Sequence, residues 1–560
     1  MLRHTVPIGP PCMAGVHENR HMRERARRIR GTQHRPGAQA AREEGTIVKD
    51  WGGRLPVALI YPNSYFIGMS NLGIHTIYSL LNGYRNIVCE RVFREDADRE
   101  RHTHPLSIES QRPLTDFAVL AFSLSYELDY FNVPAILRAA GIPLYSADRD
   151  ERYPLIIAGG PCVTANPTPL SPFFDAIGIG EAEALLPAML PVITGGIAES
   201  REDLLSKLAH LPGVYVPSYP PTSPVVRQYA TDLDEFTAVS AVLTPDTELG
   251  DLYLIEAERG CQRGCRFCLV NTAFAPMRFR SADMIIAQAR EGLQYRRRVG
   301  LIGPAVADHP QITEILSGLN RLGAELSVSS LRIGSLSGDI LRELSIGKVQ
   351  SIAIAPEAGS ERLRRVINKG ITDSDIMETV DAIAEYGFRQ LKLYFIVGLP
   401  TETDDDAEAI VDLSLAIKER LDKRRSSTRV TLTATPFVPK AGTPFQWLPM
   451  APVETLNDRL TLLRSSLPLR GIRLNEESPA WSHVQGALSR GDEKLSEVLD
   501  AVEEVSLAGW RKAIESCGLD IDHYVNHQWE TRQELPWGMI DSGVKIERLK
   551  DELEKALTSD

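Results

Sequence analysis

Short apolar runs and helical periods alternate along most of this chain. LPVALIYP (55–62) is an unbroken apolar run, as expected of a strand buried on both faces. A helical period follows over 71–81. FAVLAFSLS (117–125), PLIIAGGP (154–161) and DAIGIG (175–180) read as further strands. Helices are expected near 129–140, ending at Gly141, and over EAEALLPAMLPVI (181–193). Such alternation predicts an α/β, doubly wound parallel sheet of Rossmann or flavodoxin-like type, with ligands beyond the strand C-termini. Those ends carry Ser123, Ser125, Gly159, Gly160 and Glu181. LPGVYVPSYPPTSP (211–224) is proline-rich and predicts an extended linker, because proline removes ladder donors. A second series then offers strands at 252–258, 299–303, 325–332, 351–357, 391–398 and 430–438, with helices such as 404–421 and 453–466 between them. Six βα units fall short of a closed eightfold barrel, so a partial (β/α)6 TIM-like barrel is expected, with its chemistry at the strand C-termini. From about Gly471 the pattern turns polar and helical. The expected division is a basic unstructured segment 1–45, an α/β domain 50–200, a linker 201–246, a barrel 247–470 and a helical extension 471–560.

Composition changes this picture little. The chain has 560 residues and a formal charge of 62 − 74 = −12, so no global basic field attracts nucleic acid. Six of the eleven residues from Arg20 to Arg30 are arginine, without an apolar period. No run approaches the roughly 18 apolar residues of a membrane span. Seven cysteines, three of them clustered, argue against a disulfide framework and for a reducing, cytoplasmic setting.

The cluster is ERGCQRGCRFC (258–268). Cys261, Cys265 and Cys268 share one short loop, and Cys12, Cys89, Cys162 and Cys517 form no second pair. Thiolates bind zinc, copper or iron–sulfur clusters, and a structural zinc site wants four ligands. Three thiolates would leave one iron of a four-iron cluster open. Gly260 and Gly264 let the loop wrap tightly.

CQRGCRFC resembles the CxxxCxxC motif of radical S-adenosylmethionine enzymes, and the partial barrel is that family's fold. The resemblance makes the three cysteines ligands of a 4Fe–4S cluster. Its open iron would bind S-adenosylmethionine and cleave it to a 5′-deoxyadenosyl radical. Phe267 resembles the family's aromatic beside the adenine. The family's GGE-like stretch after the second strand is represented by Leu301-Ile302-Gly303-Pro304, so the glutamate is missing. Ser330 and Arg332 close the third strand, and Arg332 suits a bidentate carboxylate contact or an ordinary salt bridge. Glu357, after the fourth, suits a ribose hydroxyl or the amino group. Ser360 suits the same cofactor or a helix cap. Gly398 opens GLPTET, similar to a turn common in the superfamily. Lys392 and Tyr394 alternate with apolar residues and should point into the barrel. With Arg332 and Glu357 they form the candidate catalytic set. An electron donor such as flavodoxin or ferredoxin is implied.

GGPCVTANPTPLSPFFDAIGIGEAE (159–183) resembles the end of cobalamin-binding domains fused to such enzymes, and SRGDEKLSEVL (489–499) is similar to sequences that follow the core. Ser123, Ser125, Gly159 and Gly160 would then face the macrocycle, or the fold persists without that cofactor. The D-x-H-x-x-G ligand loop is absent, and His75 reads as a packing residue. With cobalamin, methyl transfer to a carbon or phosphorus is expected. Competing readings are methylthiolation of RNA or a ribosomal protein and a non-enzymatic iron–sulfur redox protein. The substrate (small molecule, peptide or RNA) is not legible.

Overall fold

Five parallel strands and one antiparallel strand form the first sheet, in the order β2-β1-β3-β4-β5-β6. They are β1 (Leu55–Tyr61), β2 (Ile87–Phe93), β3 (Val119–Ser123), β4 (Leu155–Gly159), β5 (Ala176–Gly178) and β6 (Val214–Tyr215). The computed structural model describes residues 42–94, 104–329 and 331–559. The five-strand order 2-1-3-4-5 is the flavodoxin-like one, whose ligand crevice opens where the chain reverses between β1 and β3.

Three features depart from the sequence reading. Strand β2, IVCERVF, was not expected, because Glu90 and Arg91 interrupt its apolar run. Both are buried and satisfied. Arg91 pairs with Glu43 and Glu109 at 2.7 Å each, and Glu90 accepts from Trp51 at 2.7 Å and Ser110 at 2.5 Å. Glu43 thereby ties down the end of the segment expected to be unstructured, while 1–41 lies outside the described residues. Second, the expected linker begins as part of the sheet domain. Helix Arg201–Ala209 packs against the sheet and β6 pairs with β5.

The second sheet system supplies the third departure. After β7 (Val225–Val226), β8 (Leu252–Glu256) starts the barrel, and the hairpin β9 (Glu258–Arg259) with β10 (Arg278–Phe279) follows. The barrel continues with β11 (Arg298–Ile302), β12 (Glu325–Val328), β13 (Ser351–Glu357), β14 (Gln390–Val397), β15 (Arg429–Pro436) and β16 (Arg473–Glu476). All seven barrel strands run parallel, hydrogen-bonded as β12-β11-β8 and β13-β14-β15-β16. Strand β16, RLNE, is the seventh, where helix had been expected. It is short and polar because it lies at the sheet's edge. Among the described residues a single backbone bond, from Leu331 N–H just past β12 to the Ala353 carbonyl at 2.8 Å, joins this edge to β13. Helices between strands start at side-chain caps: Ser281, Ser337, and capping boxes at Thr372 and Thr403. A final strand, β17 (Ile540–Asp541), pairs with β7.

The helical extension joins the two systems. Asn166 donates to the Ser489 and Gly491 carbonyls at 3.1 and 2.8 Å, and Phe131 meets Trp481 and Trp510 edge-on. The C-terminal ends of the first sheet therefore face the barrel mouth.

Candidate functional site

Both sets of strand ends open into one cavity of about 2270 Å³. The cysteine loop lines it. Hairpin β9–β10 frames it, and Gly260 adopts φ +85°, where a Cβ would lie 2.6 Å from the Phe274 carbonyl and 2.7 Å from that of Pro276. Backbone bonds hold the rest: Cys268 N–H to Cys265 at 3.1 Å, and Arg266 N–H to Ile367 at 3.1 Å. The Arg266 side chain, 6% exposed, donates to the Arg365 and Val366 carbonyls at 3.1 and 2.7 Å and to Glu552 at 3.0 Å. Thus the residue between two cysteines is anchored away from the cavity, and Cys261, Cys265 and Cys268 stand half-buried on its wall. Among the described residues, no group of three or more His, Cys, Asp and Glu side chains closes on a single metal ion.

Most of the residues named from sequence line this cavity: Phe267, Gly303, Arg332, Glu357, Lys392 and Tyr394 from the barrel side, and Ser123, Ser125, Gly159 and Gly160 from the sheet side. Several have partners that change their reading. Glu357 pairs with Lys369 at 3.1 Å, so one of its oxygens is already engaged. Arg332 donates to the Lys369 carbonyl at 3.3 Å. Ser360 and Gly398 lie off the cavity. Ser360 caps helix Glu361–Val366 and donates to Asp406. Gly398, at φ +74°, packs against Leu456, whose Cδ2 a Cβ would approach to 2.4 Å. Ser330 lies outside the described residues. Gly160 is required by its own loop, since a Cβ would strike the Leu124 carbonyl at 2.4 Å at φ +118°. At Gly159 the nearest atom to a Cβ is 4.0 Å away, so this glycine leaves open space.

Sequence reading missed Glu258. It continues the inward alternation of β8 and fills the gap above Gly303, where a Cβ would meet Glu258 Cγ at 2.5 Å. One oxygen accepts from Ala305 N–H at 2.5 Å; the other is buried without a partner. Burial, with Asp308 and Glu256 adding to it, pushes its pKa up to about 8 against the pull of that backbone bond. A carboxyl thus stands at the end of the second barrel strand, where the GGE-like glutamate was missing. Its signal was the alternation Leu252, Leu254, Glu256, Glu258 read past the strand's end.

Glu181 lines the cavity at the end of β5, as its place in the sequence implied, but its oxygens are engaged. It accepts from Arg278 at 2.7 and 2.9 Å and from Arg259 at 2.8 Å, and Arg259 also reaches Glu183 at 2.8 Å. This ionic cluster clasps the end of β5 to the cysteine hairpin. Farther along the wall, Glu127 accepts from Lys440 at 2.5 Å and Gln485 at 2.8 Å. Burial lifts Glu477 to about 7, against the pull of Lys440. His75 is buried. Its ring meets the Met69 carbonyl at 3.1 Å and Val242 N–H at 3.4 Å, and burial lowers its pKa to about 4. No histidine lines the cavity among the described residues.

Residues 255–414 match the family model "Radical SAM superfamily", and 73–217 match "Radical SAM proteins, N-terminal". An uncharacterized protein of Methanocaldococcus jannaschii is 34% identical over 455 residues, which is 79% of this chain and 90% of that one. The ribosomal protein uS12 methylthiotransferase RimO of Thermosipho africanus is 23% identical over 180 residues, and the chain spans 42% of its length. Among solved structures, the radical S-adenosylmethionine methyltransferase TsrM from Kitasatospora setae, with cobalamin and a 4Fe–4S cluster bound, is similar in fold. Its TM-score is 0.53 at 13% identity, covering 83% of this chain and all of that one. No helix among the described residues is long and apolar enough to cross a membrane. With both models matched in tandem and an archaeal relative similar over nine-tenths of its length, the chain belongs to the radical SAM superfamily and is an enzyme of that class.

Proposed function

We propose that this enzyme holds a 4Fe–4S cluster on Cys261, Cys265 and Cys268 and reductively cleaves S-adenosylmethionine, with a corrinoid against the first sheet for methyl transfer to a small molecule. The observation that carries this reading is the shared cavity: the three-thiol loop and the glycine-lined end of the flavodoxin-like sheet open into the same space. Such a cluster supplies the electron that breaks the sulfonium bond. The chain's own part is binding, orientation and exclusion of water.

Each part of that work has a residue suited to it. The partnerless oxygen of Glu258 suits the cofactor's ammonium, which would compensate a buried carboxylate. Arg332 suits its carboxylate, and Phe267 offers a flat face beside the third cysteine. On the sheet side, Gly159 leaves open space. Ser125, which accepts from Asn71 at 3.2 Å, presents a hydroxyl to the same cavity. Among the described residues no histidine lines the cavity where a corrinoid would be held, and His75 is engaged in the core. Methylthiolation is less well supported. The described cysteines of the first domain, Cys89 and Cys162, are both buried and offer no second three-thiol site. A reduced flavodoxin or ferredoxin is the proposed electron source.

The test is anaerobic purification with cobalamin supplied during expression, followed by absorption spectroscopy and chromatography for 5′-deoxyadenosine after dithionite reduction. Iron absorption with cofactor cleavage is expected. Absence of cleavage by an iron-loaded protein would overturn the reading, and absence of corrinoid would remove only the methyl-transfer half.

A further inference from the structure

The cavity does not stop at the cysteine loop. It runs down the barrel lumen, lined by Ala353, Ala355, Lys392, Tyr394, Thr431 and Thr433. Closed barrels fill this space with layers of large branched side chains. Here the inward positions of β13 and β15 carry alanine and threonine, so the lumen stays hollow. At the strand N-termini Arg298, Lys348, Arg389 and Arg473 line its lower end, with Asp251 and Glu325 as counter-charges. Glu325 is tied to Lys348 at 3.3 Å, and Asp251 lies 3.9 Å from Arg296. The balance at this end favours anions.

Lys392 stands inside, 6% exposed. Among the described residues no carboxylate or hydrogen-bond acceptor meets its ammonium. Two half-buried lysines of the cavity are paired: Lys369 with Glu357 at 3.1 Å and Lys440 with Glu127 at 2.5 Å. Burial alone pulls Lys392 down to about 8. Its ammonium therefore faces the cavity rather than a protein acceptor, where an anionic ligand would compensate the charge that burial disfavours. Two residues along the same face, burial first and then Glu357 and Glu248 raise Tyr394 to about 12, keeping a hydroxyl donor in place.

We propose that Lys392 seats an anionic group, a carboxylate or a phosphate, of a substrate that extends from the cysteine loop down the barrel lumen. The identification of that occupant as substrate rests on the function proposed above; the anion seat itself does not. It places the anion away from the reacting centre, so that binding to one end of a molecule orients the other.

The probe is pyridoxal 5′-phosphate, an anionic aldehyde that condenses with accessible amines and is fixed by borohydride. Applied to the full chain, it should modify Lys392 about tenfold faster than the exposed Lys512, as read by peptide mapping. Inorganic phosphate or malonate in excess should slow this about tenfold. Protection by phosphate alone assigns a phosphorylated substrate, and protection by malonate alone assigns a carboxylate. Labelling that neither anion slows, or no labelling of Lys392 while Lys512 reacts, overturns the proposal. Lys392→Met provides an independent measurement. Its thermal midpoint should no longer rise with whichever anion protects the wild type. An equal rise in the variant also overturns the proposal. None of these readouts needs the cluster, so failure here is distinct from failure of cofactor cleavage.

Discussion

The two walls of the cavity use charge in opposite ways. On the sheet side the carboxylates that follow β3 and β5 are committed. Glu181 is held by Arg278 and Arg259, Glu127 by Lys440 and Gln485, and Asp129 accepts from Asn63 at 2.6 Å. What remains for a ligand there is mostly neutral: glycine backbone and the side chains of residues such as Ser125, Tyr126 and Thr164. On the barrel side, among the described residues, Glu258 keeps a buried oxygen without a partner and the Lys392 ammonium meets no acceptor. Charges on the first wall hold the two domains together, whereas those on the second await compensation. A wall of the first kind suits a broad ligand read by shape. A wall of the second kind suits small ligands that carry their own charges.

The contrast can be broken most completely at the loop between the walls. Cys261→Ala, Cys265→Ala or Cys268→Ala should each abolish bound iron, measured by absorption and iron content. Cys89→Ala, buried in β2, should retain it; equal iron loss from Cys89→Ala would remove the loop's special status. Next in size is a change of shape on the sheet side. Gly159→Trp should fill the open space and prevent corrinoid uptake while leaving the iron spectrum intact. Gly160 is unsuitable for this purpose, because any side chain there strikes Leu124. Unchanged corrinoid content in Gly159→Trp would place the ligand elsewhere.

A change of charge on the barrel side should have a graded effect. Glu258→Gln keeps the shape and should weaken S-adenosylmethionine binding roughly ten- to a hundredfold, the range of a charged hydrogen bond of about 1.5–3 kcal/mol. Calorimetric titration of iron-loaded protein would check it, and affinity within twofold of wild type would remove Glu258 from the site. The smallest effect is on stability. Glu477 and Glu402 both stand at about 7, raised mainly by burial. A carboxyl raised in the fold binds its proton more tightly than in the unfolded chain. Its contribution is therefore full below the ordinary carboxylate range and fades as pH rises toward 7. The thermal midpoint of the cofactor-free protein should fall between pH 5 and 7.5 (roughly the window between the two values), and Glu477→Gln should flatten that fall. A midpoint that instead rises across this window would contradict the assignment.

Much of this was legible from pattern alone. Period-2 alternation placed Lys392 and Tyr394 inside the barrel, and clustering of thiols located the loop. What escaped did so for identifiable reasons. Strand β2 hides its apolar character behind Glu90 and Arg91, whose partners lie in distant segments. Strand β16 is too short and polar to show a period. Glu258 could be valued only once Gly303 was seen beneath it. Glu357 and Glu181 looked available because no sequence pattern announces the basic side chains that occupy them.

Arg266 carries a consequence for how the protein is made. It holds the cysteine loop in shape by binding Glu552, which lies 286 positions downstream on helix Ile546–Leu557. Strand β17, just before that helix, also joins β7, at the entrance to the barrel. The ribosome therefore releases the thiols long before it delivers the residues that brace them. During that interval the loop lacks its final support, and its cysteines meet whatever oxidants or stray metals the surroundings contain. On the proposed function, cluster insertion would accordingly come late in biogenesis, and a nascent chain stalled before Glu552 would be a poor recipient for iron.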